Sequence, residues 1–79
     1  MAFEKIINEL KNTNQTSIDL MDHQLSDENA KEIANVLKIN ETITSINLSY
    51  NQFSDVGVIA IAEALKVNKS IASIDLRYK

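Results

Sequence analysis

Few residues in this 79-residue chain are of types that do chemistry, and spacing decides which of them count. The one histidine, His23, stands beside Asp22 and close to Asp27. A general base or a metal site built on it needs a nucleophile or further ligands within reach, and the chain has no second histidine and no cysteine. His23 therefore reads as a turn residue. Arg77 is the only arginine and Gly57 the only glycine, so no phosphate-cradling loop exists, and neither a paired-carboxylate motif nor a Ser/His/Asp arrangement is visible. Lys38, Glu41 and Lys66 fall at helix ends and read as solvated charges, the lysines suited to the helix dipole. What remains are side chains that hold another surface: Tyr50 above all, with Met21, Arg77 and Tyr78. The chemistry expected is recognition, with no catalytic residue, no metal and no cofactor.

Composition narrows the partner. Net charge is -3, the sequence pI is about 4.9, and the lysines are scattered. A nucleic-acid footprint needs clustered cations, so nucleic acid is not expected. No apolar run approaches the ~18 residues of a membrane span, and no signal-peptide core opens the chain, so no membrane partner is expected either. Absence of cysteine fits a cytoplasmic or otherwise intracellular setting. The length allows one domain, with an apolar content of 44% to fill its core.

The elements that must position these residues follow from an internal repeat. Residues 16–43 and 44–71 align without a gap and match at 13 of 28 positions, and 72–79 open a third unit that holds only a strand. Ile18-x-Leu20, Ile46-x-Leu48 and Ile74-x-Leu76 recur at a step of 28 and alternate as short half-buried strands should. Ala30, Ile33, Ala34 and Leu37, then Val58, Ile61, Ala62 and Leu65, fall at helical spacing. Ser26-Asp27 and Ser54-Asp55 precede those helices as caps. Strand, helix and strand within 28 residues make a βαβ unit, parallel and right-handed. Helices are expected near residues 3–11, 27–39 and 55–67. The segment Ile6-Ile7-Asn8-Glu9-Leu10-Lys11 repeats the helix signature without a strand before it, so residues 1–15 read as a capping helix, Ala2–Lys11, and its connection.

The pattern Ile43-x-x-Ile46-x-Leu48-x-x-Asn51-x-Phe53, followed by Gly57, Ile61, Leu65 and Asn68, resembles the ribonuclease-inhibitor-like leucine-rich repeat. The resemblance spans nearly the whole chain. It implies an α/β solenoid of 28-residue units, parallel strands on a concave face and helices on a convex one. It also implies a protein partner on the concave sheet, as in nuclease inhibitors, immune-receptor sensor domains and the actin-binding end of tropomodulin-like proteins. His23 departs from the pattern by standing where Asn51 stands in the next unit, and Lys79 stands there in the third. Asn51 is expected to satisfy backbone groups in its turn. Asn29 replaces Gly57, a mild change if the position needs a left-handed backbone.

On this frame the open sheet face carries Ser17, Asp19 and Met21, then Ser45, Asn47 and Ser49, then Ser73, Asp75 and Arg77. Three residues per strand fall far short of the ~800 Å² a side of a standard interface, so a partner must also use the turns at Asp22, His23, Tyr50 and Tyr78. The expected binding residues are Asp19, Met21, Asn47, Ser49, Tyr50, Asp75 and Arg77. A non-enzymatic protein-binding module is one reading, and a structural or self-associating unit, or a piece of a longer array, is the other. The second draws on the last strand, whose edge residues Ser73, Asp75, Leu76 and Arg77 suit antiparallel pairing with a second copy. Centring a two-fold axis on Leu76 sets Asp75 opposite Arg77 of that copy, with Val58, Ile59 and Leu65 as the apolar flank. Lys79 and Arg77 as edge gatekeepers are the competing idea.

Overall fold

A computed structural model describes residues 3–78. The order is α1 (Phe3–Asn12), β1 (Ser17–Asp19), α2 (Asp27–Ile39), β2 (Ser45–Asn47), α3 (Asp55–Val67) and β3 (Ser73–Asp75). The helices match the expected spans. The Ala2 start of α1 lies outside the described residues. All three strands are parallel in the order β1-β2-β3, with Ile46 in register with Ile18 and Ile74. The alternating strands and helices form a βα solenoid.

The strands end one residue before Leu20, Leu48 and Leu76, yet the ladder goes on past them. Leu20 N–H donates to Asn47 O at 2.8 Å and Leu48 N–H to Asp75 O at 2.8 Å, and Asp22 and Tyr50 continue to Ser49 O and Arg77 O. Helix starts follow from their caps. Ser26 shares a reciprocal capping box with Asn29, and Ser54 accepts from Val56 N–H at 3.3 Å. Helix ends are set by Asn40 and Asn68. Asn40 Oδ1 accepts from Thr42 and Ile43 N–H, Asn68 Oδ1 from Ser70 and Ile71 N–H, all within 2.9 Å. Asn68 Nδ2 also donates back to Leu37 O and Asn40 O, tying one unit to the previous one.

The core lies between sheet and helices. Ile33, Leu37, Ile43, Leu48 and Ile61 are fully buried, and α1 adds Ile6, Ile7 and Leu10. The helical spacing named one buried stripe per helix, and three positions correct it. Val36 and Ala64, one repeat apart, are buried as well, because each helix also presses against the helix before it. Ala62 is exposed although its counterpart Ala34 is buried, since α3 covers Ala34 and no described helix covers Ala62.

Gly57 is a second correction. Its φ is not positive, so backbone freedom is not what it supplies. A Cβ built there would stand 2.5 Å from Asp27 Oδ1 and 3.2 Å from Ala30 Cβ. The absent side chain lets Asp27, the first residue of α2, reach the start of α3.

Candidate protein-binding surface

The turns that follow the strands are built by one side chain. Asn51 is 7% exposed and bonds at both polar atoms of its side chain. Its Oδ1 accepts from His23 and Leu25 N–H at 3.0 Å each, and its Nδ2 donates to Leu20, Leu48 and Ser49 carbonyls at 2.9–3.2 Å. Those groups lie in two successive turns, so Asn51 clamps the first to the second and satisfies buried backbone that the sharp turn leaves unpaired. The structural role expected for Asn51 is thus present. His23, at the equivalent position one unit earlier, is exposed, and its Nδ1 lies 2.7 Å from Met21 O. Among the described residues no group of three or more His, Asp or Glu is placed to hold a metal ion.

The turns also hold left-handed residues: Asp22 (φ 56°) and Gln24 (φ 55°) in the first unit, Tyr50 (φ 58°) in the second and Tyr78 (φ 55°) in the third. Aspartate tolerates that conformation, whereas a bulky tyrosine in it is strained. The two tyrosines stack, with ring centroids 4.8 Å apart and planes at 19°. They remain open to solvent, Tyr50 at 53% and Tyr78 at 68%.

The fold recurs in known proteins. The family described as Leucine Rich repeat matches residues 40–62. A solved structure titled leiomodin-1 actin-binding site 2 superimposes over the whole chain with a TM-score of 0.82 at 27% sequence identity. The chain has the leucine-rich-repeat fold. It spans about half of that solved chain, covering 49% of its length. No curated protein matches it in sequence. Among the described residues no helix is long and apolar enough to cross a membrane.

Within the leucine-rich-repeat frame, the column Asp19, Asn47, Asp75 runs straight across the open sheet face. Its side chains do structural work that the sequence reading missed. Asp19 Oδ1 accepts from Met21 N–H, Asn47 Oδ1 from Ser49 N–H and Asp75 Oδ1 from Arg77 N–H, each at 3.0 Å. Each closes a short turn at the strand end, as Asx side chains do. An Asp or Asn two residues before the turn in all three units was the available signal.

The next column is uneven. Met21 is 42% exposed and Arg77 is exposed, as expected of a partner face. Ser49 is not: it is 2% exposed, and its hydroxyl donates to Asn47 Oδ1 at 2.6 Å. That burial removes Ser49 from the candidate surface. Arg77 forks onto Asp75 of its own chain, Nη2 to Oδ2 at 2.9 Å and Nε to Oδ1 at 3.1 Å. The guanidinium holds the Asp75 carboxyl below the usual aspartate range, and the carboxylate raises Arg77 in turn. The charge pairing expected between Asp75 and Arg77 of a second copy is therefore already made within one chain. Ser73 is exposed and Leu76 half-buried at the outer edge of the sheet.

Proposed function

We propose that this leucine-rich-repeat chain is a non-enzymatic protein-binding module that grips its partner with the turn end of the sheet. The observation that carries the reading is the Tyr50–Tyr78 stack. Two aromatic rings sit in a backbone conformation that costs each of them stability, and the rings stay largely in water. Strain kept at exposed residues points to use, and tyrosine is a residue from which interface anchors are made. Arg77 and Asp75 beside the rings supply a polar rim, with Met21 further along the same face. The actin-binding title of the solved relative supports a protein partner and makes actin the first one to try.

The test replaces Tyr50 and Tyr78 by asparagine, which accepts the left-handed turn and so keeps the fold. Purified actin, and proteins captured from an extract by the immobilised chain, are compared on the parent and on Tyr50→Asn/Tyr78→Asn. Partner binding is expected to fall at least about tenfold, the loss of one good anchor. Lys31→Ala on the helix side is expected to leave it unchanged. Partners retained equally by the tyrosine variant would sink the assignment of this surface.

A further inference from the structure

One aspartate is left over when the bonds of the turn end are assigned. Asp19 and Asp75 each close a turn at the end of a strand, and Asp27 joins two helix starts. Asp22 is exposed, and among the described residues its carboxylate accepts no hydrogen bond and pairs with no cation. Asp22, Tyr50 and Tyr78 stand at one position of successive units, 28 residues apart, and all three are left-handed, at φ 56°, 58° and 55°. Asp22 and Tyr50 also share one ladder bond, from Asp22 N–H to Ser49 O at 3.0 Å and from Tyr50 N–H to Arg77 O at 3.1 Å. The same backbone conformation aims the three Cβ atoms alike, so the side chains leave the turns in one column. Tyr78 lies against one face of the Tyr50 ring. The other face looks along the column towards Asp22, one strand spacing of about 4.8 Å away. An aspartate is far shorter than a tyrosine, so it fills only the base of the layer that a third ring would occupy.

We infer that the rest of that layer is the seat of an arginine side chain supplied by the protein partner. The inference rests on the tyrosine turn being the partner surface, and it names what that surface takes. A guanidinium is flat, always charged and weakly hydrated. Laid on the open face of Tyr50, it gains the attraction of a cation for the negative face of the ring. In the same layer its N–H edge meets the Asp22 carboxylate side on, the geometry in which two parallel N–H···O bonds form. The molecule already makes such a fork once, between Arg77 and Asp75. Either contact alone is weak at an exposed site. Together they select a group that is both planar and positive. The charge balance of the surface agrees. Asp19 is exposed on the same unit, Arg77 is neutralised by Asp75, and the net charge of -3 draws a basic segment towards the chain. An acidic side chain brought to the same place meets Asp22 as a like charge.

Titration of the isotope-labelled chain with the blocked tripeptide Gly-Arg-Gly, followed by NMR, tests this. Saturable shifts are expected at the Tyr50 ring and the Asp22 amide, with a dissociation constant in the millimolar range. Asp22→Asn keeps a residue that accepts the left-handed turn and should weaken binding by roughly threefold, as the loss of an exposed charge pair does. Tyr50→Asn should weaken it by a similar factor. Blocked Gly-Lys-Gly, which carries the charge without the plane, should bind several times more weakly, and blocked Gly-Glu-Gly should leave Tyr50 and Asp22 unshifted. Three results overturn the arginine seat: no shift at Tyr50 with the arginine peptide, an Asp22→Asn chain that binds it as tightly as the parent, or equal affinity for the lysine peptide. The module reading is judged separately, by whole partners on Tyr50→Asn/Tyr78→Asn. Partners lost from that variant while the arginine titration is silent remove the arginine seat and leave the module. Partners retained by it while the titration is positive take away the partner surface and leave the arginine seat.

Discussion

Asp27 and Gly57 act as a pair across two helix starts. Asp27 Oδ1 accepts from Ser54 N–H at 2.8 Å and Gly57 N–H at 3.0 Å, and Oδ2 accepts from the Ser54 hydroxyl. The Ser54 hydroxyl bond, followed by the backbone bonds and Lys31, lowers the Asp27 pKa. A depressed acid stabilises the fold above its unfolded value, and that stability is lost as pH falls through the folded value. Asp27→Asn should therefore melt below the parent at pH 7, and the gap should close as both are acidified below about pH 4. A gap constant across that range would disprove the linkage. Gly57→Ala ordinarily gains helix propensity, but here the new methyl meets a carboxylate oxygen tied down by those bonds. A net loss of ~1–3 kcal/mol is expected in urea melts, the cost of overpacking. Asn51→Ala strands buried groups of two turns at once and should cost on the order of 2–4 kcal/mol.

At the scale of elements, the middle strand carries the most. Leu48 is 0% exposed just after β2, between Leu20 and Leu76. Leu48→Ala is expected to cost ~2–5 kcal/mol. Asp19→Ala on the open face of β1 gives up only an exposed turn bond and should cost under about 1 kcal/mol. Urea midpoints that fall equally for the two would refute the facing of the strands. The helices show why one repeat pattern yields three different buried faces. Among the described residues α1 has a neighbouring helix on one side, α2 on both, and α3 on one side again. The same sequence positions are therefore buried in α2 and open in α3, as Ala34 and Ala62 show.

For the whole molecule, burial is graded along the stack, and a domain of this size has a narrow margin of stability. Ile74 and Leu76 are half-buried where Ile46 and Leu48 are 3% and 0% exposed. Leu76→Ala is therefore expected to cost this chain about 1 kcal/mol, well under the cost of Leu48→Ala, because it removes less apolar surface from a packed interior. Equal losses for the two in urea melts would contradict the gradient.

The repeat, the strand and helix positions, the parallel order and the clamp at Asn51 were all legible in the residues, because a 28-residue period repeats every local signal and each copy supports the others. Backbone pairing and helix periodicity are properties of short segments, and short segments are what a sequence displays. The reason for Gly57, the burial of Ser49, the cis pairing of Arg77 with Asp75 and the stacking of Tyr50 on Tyr78 were not legible. The Ser49 and Arg77 side chains turn back on Asn47 and Asp75 two residues earlier, a rotamer choice that residue types do not display. The Gly57 and Tyr50–Tyr78 contacts depend on how residues about 28 apart approach within a few ångströms. That distance is set by the rise and twist from one unit to the next, which only the packed stack decides.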